Sequence, residues 1–87
     1  MYFPDYPTEV PKYGAQGQTI KNMQATMNVV FYKYPVYKTL DEDGYFGNNT
    51  EEAVRRIQQH VGLEETGVVD IYTWSAIFSL GNIIAEP

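Results

Sequence analysis

Apolar residues recur at three- and four-residue steps in three stretches of this chain, and each stretch predicts an amphipathic helix. The first stripe is Ile20, Met23, Met27 and Val30, in a helix that runs from Thr19 and ends before the segment YKYPVYKT. Pro35 sets that limit, because it pushes Tyr34 out of the α region. Ala53, Val54, Ile57 and Val61 make the second stripe. Asn48 is read as its N-cap, Glu51 stands three residues on at the capping-box spacing, and Gly62 is a natural residue for the helix stop. A third, shorter helix is predicted after Asp70 as N-cap, with Trp74, Ile77 and Phe78 inward and Gly81 as the stop.

The turns before these helices share a spacing: Gly14-x-x-Gly17-x-x-Ile20, Gly44-x-x-Gly47-x-x-Thr50 and Gly67-x-x-Asp70-x-x-Thr73. Three related turn-plus-helix pieces around one core are expected. The fold class is therefore mainly all-α, a compact three-helix bundle with short extended turns before the helices. Alternation within two of the turns points Phe46 and Val69 inward and Tyr45 and Val68 outward, so Tyr45 stands on the surface beside a helix N-terminus. Pro4, Pro7 and Pro11 make residues 1–12 an extended arm. Residues 13–81 form the domain and residues 82–87 a C-terminal tail.

Composition narrows the function. The chain has no cysteine, which removes disulfides, thiolate metal sites and a cysteine nucleophile. A net charge of −5 disfavours nucleic acid and anionic membranes alike. No apolar run approaches the roughly 20 residues that span a bilayer, and the first residues have neither the basic nor the apolar region of a signal peptide. The acidic stretch DEDGYFGNNTEEAV invites a calcium reading, but with Gly44 at the glycine position of an EF-hand loop, its first and last ligand positions fall on Thr39 and Thr50. Adjacent surface acids are poorly placed for paired-carboxylate catalysis, which needs groups facing each other across a cleft. His60 lacks the partners a zinc site needs and fits an exposed place near a helix C-terminus. No catalytic residue, metal ligand or cofactor is expected. Eight tyrosines are the unusual feature; each offers an apolar face with a hydroxyl, suited to sugar rings and wet interfaces or simply to covering a small core.

The run DGYFGNNTEEAVRRIQ resembles the signature of the peptidoglycan-binding domain family, through Asp43, Gly44, Phe46, Gly47, Thr50, Ala53, Val54 and Gln58. Gly62-Leu63, Gly67, Val69, Thr73-Trp74 and Ile77 match its second half, and Gly14, Gly17, Ile20, Met23-Gln24 and Met27-Asn28 its first helix. The similarity spans about Tyr13 to Leu80. Ile57, Met23, Thr66 and Asp70 depart from the pattern, and FYKYPVYKTLDE is longer than the shortest members need. The resemblance implies a noncatalytic monomer that binds peptidoglycan, by glycan strand or stem peptide, and targets an attached cell-wall hydrolase. That enzyme would be an amidase, muramidase or peptidase, as in a bacterial or phage endolysin. The chain is then a fragment of a larger protein, extracellular or wall-associated. It also implies that Gln24 and Gln58 satisfy backbone groups of the turns. The expected ligand surface joins Tyr45 and Tyr72 as stacking faces to Asn48, Asn49 and Asp70 as hydrogen-bonding groups, although Asn48 and Asp70 would serve equally as caps alone. The alternative is an interaction module of the same fold, docking on a partner domain through the tyrosines of the arm and insert.

Overall fold

The computed structural model describes residues 3–35 and 37–85, with Ala85 described by its backbone alone. Met1 and Tyr2 of the arm, Val36 of the insert, and Glu86 and Pro87 of the tail lie outside the described residues. Three helices follow in order, α1 (Gln18–Lys33), α2 (Asn48–Val61) and α3 (Ile71–Ala85), and no strand forms among the described residues. The mainly α architecture is the expected one. Helix α3 packs most extensively on α1 and then on α2. Their inward stripes meet in one core: Ile20, Met23, Met27, Val30 and Phe31 from α1, Ala53, Val54 and Ile57 from α2, and Trp74, Ile77 and Phe78 from α3. Phe46 and Val69 enter the same core from the turns, fully buried, while Tyr45 keeps 46% of its surface exposed. Burying a side chain such as Phe46 contributes about 2–3 kcal/mol.

The two later turns are built alike. Gln24 of α1 donates through Nε2 to Asp43 Oδ1, to the Tyr45 carbonyl and to Thr50 Oγ1, and its Oε1 accepts from the Gly44 N–H at 2.8 Å. Gln58 of α2 repeats this on Thr66 Oγ1, the Val68 carbonyl, Thr73 Oγ1 and the Gly67 N–H. Each helix thus buries one amide whose hydrogen-bonding capacity is used to shape the turn that follows. Gly44 and Gly67 both have φ 76°, a left-handed conformation that glycine adopts without cost. The turn at Gly14 has no such glutamine. Instead it pairs with the second turn, where Gly14 N–H donates to the Phe46 carbonyl, Phe46 N–H to the Ala15 carbonyl and Gly17 N–H to the Gly44 carbonyl. Val69 N–H donates to the Pro11 carbonyl, so the segment from Pro11 to Gly17 clips both later turns together.

Five expectations for the helices are corrected. The cap of α2 is Gly47 rather than Asn48, which is already helical, and no side chain caps the helix. Gly47 occupies the place that Asp70 holds before α3, where the Asp70 carboxylate accepts from Thr73 N–H at 2.8 Å. Glu51 is consequently no capping-box partner and lies 3.9 Å from Arg55 in a partly exposed pair. Gly81 does not stop α3, which runs to Ala85 and so exceeds α2 in length instead of being the shorter helix. The glycine is there for close approach, since a Cβ at Gly81 would meet Thr26 Cγ2 of α1 at 2.5 Å. Val61, expected in the buried stripe, is exposed. One turn earlier the α2 core ends at Ile57, and at Gly62 the chain leaves in a Schellman stop, with Gly62 N–H on the Gln59 carbonyl and Leu63 N–H on that of Gln58.

Candidate functional site

Glycine at the α2 cap has a consequence for the surface. With no side chain at Gly47, the Tyr45 ring lies over it; a Cβ there would come within 3.0 Å of Tyr45 Cε2. Tyr45 thereby forms the wall of a groove of about 340 Å³ lined also by Leu40, Asp41, Asp43, Gly47, Asn48, Asn49 and Thr50. Two hydrogen bonds, from Tyr45 N–H and Gln24 Nε2, hold the Asp43 carboxyl below the usual carboxylate range. Its role in the turn thus favours the ionised form. A second groove of about 270 Å³ lies alongside, lined by Lys38, Thr39, Leu40, Asp41, Asn49, Glu52, Ala53 and Arg56. The two share Leu40, Asp41 and Asn49.

Three of the five site residues expected from the sequence, Tyr45, Asn48 and Asn49, therefore line one groove. Asp70 and Tyr72 do not line it. Asp70 Oδ1 is occupied as the α3 cap, and Tyr72 stands 71% exposed in the first turn of that helix. Leu40, Asp41, Lys38 and Arg56 were not expected. Arg56 belongs to α2, and the other three arrive because Asn28 of α1 holds the end of the insert: its Oδ1 accepts from Leu40 N–H at 2.7 Å, and its Nδ2 donates to the Leu40 carbonyl and to Glu42. The signal available beforehand was a buried polar residue four positions after Gln24 on an otherwise apolar stripe. The insert tyrosines turn away from the groove. Tyr34 and Tyr37 pack their rings on exposed His60 at centroid distances of 4.9 and 6.3 Å, and Tyr37 also meets Phe31 edge-on. Among the described residues no three His, Asp or Glu side chains converge as a metal site, and no helix is long and apolar enough to cross a membrane.

Comparison with known proteins places this geometry. The profile of the family described as peptidoglycan binding domain matches residues 16–77, most of the chain. The chain belongs to the peptidoglycan binding domain family. A protein encoded in the bpoA1 3′ region of Kitasatospora aureofaciens, itself uncharacterised, is 34% identical over 61 residues, 70% of this chain. The chain spans about half, 48%, of that relative's length. The crystal structure of the SleB N-terminal domain superposes with a TM-score of 0.72 at 26% identity, covering 87% of this chain and 97% of that one. In this peptidoglycan-binding domain the matched span holds both glutamine-clasped turns and all the groove residues. Residues 3–15, which carry the arm, fall outside it.

Proposed function

We propose that this domain is a noncatalytic module that holds an attached cell-wall hydrolase against peptidoglycan, binding through the groove walled by Tyr45. One observation carries the reading: the span shared with the family contains a groove in which an aromatic face stands beside the amides of Asn48 and Asn49. An apolar ring face next to amide donors and acceptors suits a wall fragment, which presents sugar faces, acetamido groups and peptide bonds. Asp70 and Tyr72, at the equivalent place in the last turn, would serve as a flanking contact for a longer fragment. Such a module works at the cell wall.

The competing docking reading relies on tyrosines of the arm and insert. Of these, Tyr6 donates to the Val69 carbonyl and Tyr34 and Tyr37 pack on His60, within the domain, while Tyr13 and Tyr32 stay exposed. The test is retention of the full chain on purified peptidoglycan sacculi. Tyr45→Ala is expected to lower retention about five- to tenfold while changing stability by less than about 1 kcal/mol. Undiminished retention by a folded Tyr45→Ala protein would remove the groove from the reading.

A further inference from the structure

We infer that the channel along the start of α2 takes the peptide stem of the wall polymer, with a free side-chain ammonium group at Asp41 and a carboxylate at Lys38 and Arg56. This rests on the wall-binding reading above and names the part of the polymer that is recognised. The two grooves share Leu40, Asp41 and Asn49 and so run into one another. The stretch under Tyr45 carries only acids, Asp41 and Asp43, while the stretch beyond shares Asp41 and adds Glu52 together with the two bases Lys38 and Arg56.

Among the described residues, Asp41 and Lys38 enter no ion pair and no side-chain hydrogen bond, so both keep their full capacity for a ligand. Asp43 spends Oδ1 on the turn. Arg56 gives one nitrogen to Glu52 at 2.7 Å in an exposed pair, which leaves further guanidinium N–H groups. A glycan strand offers hydroxyls and acetamides but no cation, and its rings are best held by successive aromatic platforms. Among the described residues the channel has one aromatic, Tyr45, because Tyr34 and Tyr37 are spent on His60 and Tyr72 does not line it. A short peptide with a diamino acid presents an ammonium and a carboxylate together, and this complements unpaired charges of both signs in one channel.

The experiment follows backbone amide shifts of the full chain titrated with three probes. These are the tripeptide L-Ala-γ-D-Glu-L-Lys, its Nε-acetylated form, and peptide-free strands of N-acetylglucosamine and N-acetylmuramic acid. Retention on sacculi is measured in parallel. The tripeptide should shift amides of residues 38–43, 45, 49 and 52–56, and acetylation should weaken its binding about tenfold, the loss of one charge-assisted contact. Asp41→Asn should abolish the difference between the two peptides. If sacculi retain the chain but the tripeptide produces no shifts, or the glycan strands shift these amides instead, stem recognition is overturned and wall binding stands. Equal affinity for the two peptides overturns the ammonium site. Loss of retention on sacculi altogether overturns wall binding and this inference with it.

Discussion

Gln24 and Gln58 each place one amide inside the domain, and each accepts the buried N–H of a left-handed glycine while donating to a carbonyl and two side-chain oxygens. No buried side-chain nitrogen or oxygen among the described residues is left without a partner. Replacing Gln24 by apolar leucine removes the amide and leaves the buried Gly44 N–H without its acceptor and the Tyr45 carbonyl without its amide donor. Gln24→Leu should therefore cost about 2–4 kcal/mol, read as a lower urea midpoint at unchanged slope, and Gln58→Leu should cost a similar amount. The need for these partners was legible as two polar residues on apolar stripes. The identity of the partners was not, because an amide's bonds are set by which turn the helix faces. The same holds for Asn28, which lies on the same inward face and reaches instead to Leu40. At Gly47 the sequence pointed one residue too far along: Asn48 is chemically the better cap, but the repeat places Gly47 where Asp70 stands.

Helix α3 shows why a glycine in a helix is ambiguous. By propensity alone Gly81 reads as a stop, since glycine costs about 1 kcal/mol more than alanine inside a helix. Contact with α1 outweighs that preference, because only a residue without a Cβ lets α3 lie against Thr26. Thr26 has little freedom to yield: it is β-branched, and its Oγ1 donates to the Asn22 carbonyl at 3.0 Å. Gly81→Ala is expected to destabilise by about 1–2 kcal/mol, overpacking exceeding the gain in helix propensity. Thr26→Ser removes the clashing methyl and keeps the hydroxyl, so the double variant should recover most of the loss in a thermal melt. Full additivity of the two changes would show that the contact does not limit the packing.

At the scale of the whole molecule, the arm is part of the core's cover. Trp74 Nε1–H donates to the Pro4 carbonyl at 3.0 Å, Tyr6 meets Trp74 edge-on at 5.9 Å, and Phe3 tilts against Phe78 at 6.3 Å. Burial of the Tyr6 phenol, with Asp70 nearby, pushes its pKa up, in keeping with a hydroxyl committed to the Val69 carbonyl. A chain of this size has little apolar area to spare, so removing residues 1–10 should lower the melting temperature by several degrees, about 4–8 °C per kcal/mol lost. The fluorescence of Trp74, the single tryptophan, should shift to the red as its ring meets water. Unchanged emission would mean that the ring is shielded without the arm.

The sequence by itself determined the three helices, their inward faces, the glycine turns and the likeness to a wall-binding family, because each is written in local spacing and side-chain type. Tertiary structure decided what depends on segments distant in the chain. Asn28 holds the end of the insert so that Asp41 lines one groove with Tyr45 and Lys38 lines the next with Arg56 of α2, while Asp70 is taken up as a cap and Tyr72 stays outside the first groove. A groove exists only between surfaces, and no periodicity along one strand of sequence records which two surfaces meet.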